Sequence, residues 1–450
     1  MLLGTMASQA RPISGSVDQG RAGLINLVYL LTLAGSFDHR FGHGETGAIS
    51  ISIAEGLAYL SAALVVIALY GEPSAARWRL LRRAFAGGWV MIAYLLWGVL
   101  AGVVEFQRNG TPEGLHALKD SMAGIILYGL MCLLISTPRR LERVQQVMLG
   151  GATLMSVLAI SQYVAGAPYL APLSETAYLK HGLDTIDLVR HPVVGMFGHP
   201  NGLAMYMVPA LILCVGSPPP RIGGRRWSGG LLLRIVCAVF ASISLLLSQA
   251  KIAIVVGALG SIAIIVVRRR RIAYTPARCL LGFLVLLVLA AAVISVGIAL
   301  VLGRGAVVAT GTLLERWYLA SAAVDVLQTH PWVALFGGAN AADLEVGTGL
   351  AVHNVFLANA LEHGVVGALL FGMIFVQALR QRSEGAWRYA IPVLSLLTLL
   401  MAEPGIGTQM QLLVFFYAGL ATSYSLVFSV HHDRARRYGS NVTAEARKPA

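Results

Sequence analysis

Long apolar windows recur along almost the whole chain, and they constrain the fold more than any other feature of the sequence. A helix of about 17–25 apolar residues crosses a hydrocarbon core roughly 30 Å thick. Inside that core every backbone N–H and C=O must bond within the protein, so a continuous apolar window predicts a helix; a membrane strand would alternate instead. We predict twelve spans, at 22–36, 49–70, 84–104, 121–137, 147–167, 196–216, 231–249, 252–268, 279–303, 353–379, 390–402 and 410–430.

The composition agrees with this interpretation. Hydrophobic residues make up 57% of the 450 residues and charged residues only 12%, whereas a soluble protein carries about 25% charged residues. We therefore predict an all-α, polytopic membrane protein with the lipid bilayer as its immediate partner. We divide it into N-terminal spans (1–189), a region that carries the polar motifs (190–380), and C-terminal spans with a tail (381–450).

The formal net charge of +13 could by itself indicate a nucleic-acid partner, but the distribution of basic residues indicates membrane topology instead. With the N-terminus placed inside, alternate connections, both tails and Arg234 hold 26 of the 34 basic residues, and the other side holds 8. This is the positive-inside pattern. It predicts cytoplasmic termini, no bound nucleic acid, and five outer loops at 37–48, 105–120, 168–195, 304–352 and 403–409.

Two of the predicted outer loops, 168–195 and 304–352, are unusually long. Loops of this length are usually functional or disordered. In the second loop, residues 313–327 have helical composition and an apolar face, His330-Pro331-Trp332 is expected to end that helix, and residues 336–340 are typical of a turn. We predict one or two helices that lie flat on the outer face, as a lid above a cavity.

A set of polar, mostly basic residues falls on the outer face, where positive charge is otherwise scarce. Its members are Arg190, His199, Asn201, Lys251, Arg316 and His353. Lys251 is the most informative, because it lies between two apolar runs without an acidic neighbour, where an ammonium group is costly unless paired or hydrated. Since arginine suits phosphate oxygens, we infer a phosphate-bearing substrate whose leaving pyrophosphate these cations would stabilise.

His353 is the candidate base, since imidazole titrates near neutral pH and can take a proton from an attacking hydroxyl. Asn354 is expected to orient it or to bind sugar. Glu362, further along the same predicted helix, is expected to be a buried carboxylate that pairs with Arg316 or Lys251, or tunes His353. We expect no metal, because the outer face shows neither a carboxylate-rich cluster nor His-x-x-x-His spacing.

These residues also have structural interpretations. Arg190 and Lys251 stand at helix ends, where long basic side chains commonly snorkel to the interface. His199, before Pro200, is as consistent with a helix cap as with a ligand. Twelve spans with cationic outer residues also fit a transporter of anions, although transporters usually bind their substrates near the midplane. The clustering of polar residues at one face favours an enzyme.

Four stretches of the chain resemble motifs of the O-antigen ligase and polymerase superfamily. They are Gly195-Met196-Phe197-Gly198-His199-Pro200-Asn201-Gly202-Leu203-Ala204, Leu246-Leu247-Ser248-Gln249-Ala250-Lys251, Arg316-Trp317, and His353-Asn354-x-x-Leu357 through Glu362-x-Gly364-x-x-Gly367. The resemblance covers about residues 190–380, and the stretch from His353 to Gly364 is its most specific part.

The resemblance implies a GT-C-like membrane fold and a metal-independent, inverting glycosyl transfer without a cofactor. The donor would be a glycan on undecaprenyl pyrophosphate at the periplasmic face of the bacterial inner membrane. The acceptor would be a second glycan or lipid A–core, and other polysaccharide assembly proteins are expected partners. Carried over by position, Arg190, Lys251 and Arg316 would hold the pyrophosphate, and His353 would activate the acceptor hydroxyl.

The sequence departs from the family pattern at two points. A motif that usually reads Ser-x-Ser-Arg or Ser-Lys-Thr is Ser248-Gln249-Ala250-Lys251 here, and its lysine would hold phosphate as a point charge rather than a fork. The pattern Arg-x(10)-Gly is one residue out for Arg190, whereas His191 has that spacing to Gly202, so either could contact the substrate. The motifs favour a polysaccharide polymerase, with an O-antigen ligase as a close alternative and a protein oligosaccharyltransferase as the third activity.

Overall fold

The computed structural model describes several continuous stretches of the chain, four two-residue strands, and scattered residues within 56–63, 118–129 and 391–399. The continuous stretches are 88–109, 138–165, 193–197, 200–216, 228–248, 250–270, 318–338 and 354–379. The helices are α1 (Trp89–Asn109), α2 (Pro138–Ala165), α3 (Pro200–Gly216), α4 (Ser228–Leu247), α5 (Lys251–Arg270), α6 (Pro331–Phe336) and α7 (Val355–Leu379). The strands are β1 (Arg40–Phe41), β2 (Ile51–Ser52), β3 (Arg221–Ile222) and β4 (Arg225–Arg226), paired as two antiparallel hairpins.

Six predicted spans coincide with α1 to α5 and α7. Within the described residues, four helices (α1, α2, α4 and α7) are long and apolar enough to cross a membrane, and α3 and α5 contribute shorter apolar segments. The chain is therefore a helical membrane protein. The spans predicted at 22–36, 279–303 and 410–430 lie outside the described residues, and those at 121–137 and 390–402 are described only in part.

The span predicted at 49–70 needs a correction at its start. Residues Ile51 and Ser52 are not helical but form strand β2, in which Ser52 lies opposite Arg40 of β1. The local sequence explains the difference, because isoleucine and serine alternate from Ile49 to Ile53, and a period of two favours a strand over a helix. Helical residues follow later in the same window.

The exposed face of α4 has the character of a lipid-facing surface. Large apolar side chains recur on it every three or four residues, at Leu231, Leu232, Ile235, Val239, Ile243 and Leu246. The buried face carries polar side chains, among them Arg234 and Ser244. A long apolar stripe is unfavourable in water, and polar groups of membrane helices face the protein interior. The burial pattern therefore agrees with the hydropathy of the sequence.

The described helices pack in two groups that share one apolar core. In the first group, α3 is buried along most of its length and packs against α4 and α5, while α2 packs on α4. Small residues permit close approach here, since Gly257 and Gly260 of α5 face Val208 and Ile212 of α3. The second group consists of α1, α6 and α7. Each group holds one part of the candidate site.

Candidate functional site

The loop 193–197, which leads into α3, is held by a buried glutamine of α2. Gln162 Nε2 donates a hydrogen bond to the carbonyl oxygen of Gly195 (2.8 Å), and the Gly195 N–H donates to Gln162 Oε1 (2.9 Å). Gly195 has a φ of +59°, and a Cβ there would press on Met155 and Leu203 at 3.0–3.1 Å. The loop conformation therefore depends on a glycine and on an amide that satisfies both of its backbone groups.

The same loop contacts the turn between α4 and α5. The N–H of Val193 donates to the carbonyl oxygen of Leu247, the last residue of α4, at 3.2 Å. Ser248 is buried, and its Oγ accepts the Ala250 N–H (3.4 Å) within the turn. α5 begins directly afterwards at Lys251. Two of the predicted motifs, one before α3 and one before α5, therefore lie side by side.

The second part of the site begins at the N-terminus of α7. Asn354 Oδ1 accepts hydrogen bonds from the N–H groups of Phe356 (2.9 Å) and Leu357 (3.3 Å), which is the geometry of a helix N-cap. The cap fixes where the helix begins, and His353 is the residue directly before it. We expected from the sequence that Asn354 would orient His353 or bind sugar. Its side-chain oxygen instead accepts hydrogen bonds from the helix itself.

α7 is interrupted at Gly364, which has φ +71° and ψ +173°, a backbone conformation essentially restricted to glycine. α6 meets this break. A Cβ on Gly364 would overlap the carbonyl group of Leu335, and a Cβ on Gly337 (φ +81°) would overlap the carbonyl group of Glu362. Two glycines thus allow two backbones to touch. The His-x(10)-Gly spacing that starts at His353 ends on the glycine at which the helix breaks.

Residues 318–338, which we name the outer segment because the sequence predicts them in an outer loop, also pack along residues 355–363 of α7. Within the outer segment, residues 318–329 are helical. A small apolar cluster joins them to α7 through Ala323, Val326, Leu327, Leu357 and Leu361. Arg316 lies two residues before the outer segment, and His353 lies two residues before α7. The segment that follows Arg316 therefore packs on the segment that follows His353.

The helices predicted within the loop 304–352 are present where the structure describes it. Residues 318–329 are helical, in partial overlap with the predicted 313–327, and α6 supplies a second helix. Pro331 does more than end the first helix, because it begins α6 at a position where a missing N–H costs nothing. Gly337 and Gly338 both have positive φ, as the predicted turn requires. The role of the loop as a lid stays a prediction.

A tryptophan of α1 joins the outer segment to the break in α7. Trp97 Nε1 donates to the carbonyl oxygen of His363 (2.7 Å), the residue directly before Gly364. The Trp97 ring stacks on Phe336 of α6, with centroids 5.6 Å apart and an interplanar angle of 9°. Phe336 stacks in turn on Trp332, at 5.5 Å and 19°. Three aromatic rings therefore form a column from the outer segment to α1.

One turn earlier on α1, a second contact reaches α7. Tyr94 donates through its hydroxyl to Asn359 Oδ1, and Asn359 Nδ2 donates to the Val355 carbonyl (2.9 Å). The sequence analysis did not identify Tyr94, Trp97 or Asn359, and it did not identify Gln162 either. A signal for them existed, because each is a polar side chain inside an apolar window, where such groups usually bond to neighbouring protein.

The predicted site residues divide by where they fall. Outside the described residues lie Arg190, His191, His199, Arg316 and His353. Lys251 is the first residue of α5, and Asn201 lies, partly buried, in the first turn of α3. Glu362 requires a correction, since its side chain is exposed rather than buried. It stands at the break, where its backbone carbonyl lies against Gly337, the residue after α6.

The described residues thus include the contacts that fix the backbone next to the candidate site residues. The loop 193–197 and the turn at Ser248 hold the approach to Asn201 and Lys251, and the cap and break of α7 hold the approach to His353. Among the described residues, no three His, Cys, Asp or Glu side chains come together as a possible metal-binding group.

No curated protein matches the chain significantly. The family model of the O-antigen ligases matches residues 236–372. The match runs from α4 into α7 and includes the positions of Lys251, Arg316 and His353. It supports, in general terms, a membrane glycosyltransferase of the ligase or polymerase type. It also supports the resemblance to the O-antigen ligase and polymerase superfamily that the motifs indicate, over residues 236–372.

Proposed function

We propose that the protein transfers a glycan from undecaprenyl pyrophosphate to an acceptor hydroxyl at the periplasmic face of the bacterial inner membrane. In this way it polymerises the repeat units of an exopolysaccharide or O-antigen. The observation that carries the proposal is the family match, which includes Lys251, Arg316 and His353. The packing of the segment behind Arg316 on the segment behind His353 supports it.

In the proposed reaction, the acceptor hydroxyl oxygen attacks the anomeric carbon from the face opposite the leaving group. The new C–O bond forms as the bond to the pyrophosphate breaks, so the anomeric centre inverts and the lipid pyrophosphate leaves with the electron pair. His353 takes the proton of the hydroxyl. Arg190, Lys251 and Arg316 offset the charge that develops on the pyrophosphate, so neither a metal nor a cofactor takes part.

The two parts of the site suit a division of roles. Arg190 and His191 lie just before the loop 193–197, and that loop is hydrogen-bonded to the turn that leads to Lys251. Cations on two neighbouring backbones can share one pyrophosphate group. His353 lies on the other part, before the capped start of α7. The first part would therefore bind the donor, and the second would carry the base.

An O-antigen ligase is the second candidate, because the matching family model describes O-antigen ligases. Its donor and its chemistry would be the same, and the acceptor would be lipid A–core. Purified protein in nanodiscs, given a lipid-linked repeat unit without added metal, separates the two activities. A ladder of longer lipid-linked glycans that is lost in His353→Ala supports the polymerase. Transfer only after lipid A–core is added supports the ligase, and no turnover with either acceptor contradicts both.

Two arginines provide a matched pair for the same assay. Arg316→Ala is expected to lower turnover by about 100-fold or more, as the loss of one group that stabilises developing charge does. Arg278→Ala is expected to leave turnover close to that of the wild type, because Arg278 is predicted on the cytoplasmic side. Equal effects of the two substitutions would contradict the topology on which the proposal depends.

A further inference from the structure

We propose that Trp97 is a positioning residue, which couples the outer segment to residues 355–363 of α7 and thereby holds in place the helix start that follows His353 in the sequence. The inference rests on the proposed function, because that function gives His353 its role as the base. Trp97 itself lies on α1, outside both segments that it joins.

Trp97 contacts both sides of the junction between α6 and α7. Its Nε1–H donates to the His363 carbonyl oxygen on the α7 side, and its ring stacks on Phe336 on the α6 side. The junction itself is made of Gly337 and Gly364, which bring backbone against backbone. Contact between two glycines brings the backbones close together, but without interlocking side chains it does not by itself fix the angle between the two segments. The alignment of the two segments therefore depends on side chains from outside the junction, and Trp97 supplies one that reaches both.

The geometry of α7 amplifies any loss of alignment at the break. The part of α7 before the break runs from Val355 to His363, a length of about 13 Å at 1.5 Å per residue. A tilt of about 10° at Gly364 would thus move the helix start, two residues after His353 in the sequence, by about 2 Å. A misplacement of about 1 Å is enough to lower a reaction rate by about 100-fold. A contact at the break can therefore control catalysis without touching the substrate.

The test compares Trp97→Phe with Trp89→Phe. Phenylalanine at position 97 keeps a ring for stacking on Phe336 and removes the N–H donor to His363. Trp89 is a matched control on the same helix, and 57% of its side chain is exposed. Two measurements are made on full-length protein in nanodiscs: the kinetics of glycan transfer, and deuterium exchange of residues 331–338 and 355–363.

For Trp97→Phe we expect kcat to fall about tenfold with KM for the donor within about twofold, as the loss of one aligning hydrogen bond predicts. Exchange in residues 355–363 should rise in Trp97→Phe and stay unchanged in Trp89→Phe. Unchanged exchange, or a rise in KM with kcat preserved, would overturn the inference.

The exchange measurement keeps the two proposals distinguishable. If the wild-type protein transfers no lipid-linked glycan but Trp97→Phe raises exchange as expected, the proposed function fails and the coupling stands. If transfer is observed and exchange does not change, the coupling fails alone. Should Trp97→Phe not accumulate, Phe336→Leu removes the stacking partner instead and is expected to raise exchange in the same residues. No rise there would equally overturn the inference.

Discussion

The loop 193–197 and the break at Gly364 both interrupt apolar packing, and the protein holds them in different ways. At the loop, one side-chain amide from α2 satisfies both backbone groups of Gly195. At the break, Gly337 and Gly364 place backbone directly against backbone, and Trp97 adds a hydrogen bond. A side chain has rotatable bonds and can follow a small shift, whereas two backbones in contact cannot. The break at Gly364 therefore tolerates less displacement than the loop 193–197 does.

In the proposed function this difference matches what each part has to do. A base must lie within hydrogen-bond reach of the proton that it takes, so the approach to His353 has to be rigid. A cation acts on a phosphate through its charge, and this interaction weakens only gradually with distance. The approach to Lys251 can therefore tolerate a more adaptable support.

The largest expected effect is that of Gly364→Ala. The φ of +71° with ψ +173° is unfavourable for any residue with a Cβ, and that Cβ would overlap the Leu335 carbonyl. We expect a loss of at least about 3 kcal/mol in the free energy of unfolding. The change would appear as a lower thermal midpoint and as loss of glycan transfer.

Gly372→Ala is the control on the same helix. The nearest atom to its Cβ would be a ring carbon of Phe356 at 3.5 Å, an ordinary contact. We expect a change within about 1 kcal/mol, since alanine is the better helix former. A similar loss of stability in both variants would mean that the break tolerates a Cβ as well as the rest of α7 does.

Gln162→Leu is expected to have an intermediate effect. It leaves the N–H and the carbonyl of Gly195 without their partner in a buried place, at a cost of about 2–4 kcal/mol for the two groups together. Gln162→Glu should cost less, because a buried carboxyl that stays protonated can accept the Gly195 N–H and donate its O–H to the Gly195 carbonyl oxygen. The measurement is thermal unfolding, and Ser161→Ala is the control. The Ser161 hydroxyl donates a hydrogen bond to the Leu158 carbonyl oxygen within α2 and does not contact the loop in that bond.

The kinetics of Gln162→Leu sharpen the difference between the two supports. Since the loop leads from Arg190 and His191, its loosening should raise KM for the lipid-linked donor more than it lowers kcat. Trp97→Phe should instead lower kcat more than it raises KM for the donor. If Gln162→Leu lowered kcat alone, the two regions would not divide donor binding from proton transfer.

The smallest effect is expected for Asn354→Ala, which removes the cap of α7. Loss of an N-cap costs about 1 kcal/mol. Asn354→Asp keeps an oxygen that can accept from Phe356 and Leu357, and should restore both the thermal midpoint and most of the turnover. If Asn354→Asp restored stability but not turnover, Asn354 would act through its amide nitrogen on the substrate, rather than through the helix start.

The sequence predicted the helical membrane architecture well, because hydropathy is a local property. The windows 84–104, 147–167, 231–249 and 353–379 are helices, with ends shifted by up to nine residues. The prediction of a helix at the start of the window 49–70 was wrong, and the reason is also local, since isoleucine and serine alternate there with a period of two.

The break in α7 could not be predicted in the same way. Glycine is frequent in membrane helices and usually leaves them intact, so Gly364 in an apolar window predicts nothing by itself. Its conformation depends on its approach to Leu335 and on the approach of Gly337 to Glu362. The side chain of Glu362, next to this contact, is exposed, whereas the sequence led us to expect a buried carboxylate.

Hydropathy along the sequence was enough to predict that this protein crosses the membrane in helices. Residue patterns were enough to find the four motifs, three of which lie in the part that the O-antigen ligase family model matches. The residues that hold these motifs in place could be identified only from the packing of the helices. Gln162 meets Gly195, and Trp97 meets His363, across long separations along the chain. A polar residue in an apolar window indicates that a partner exists, but the packing of the helices selects which one it is.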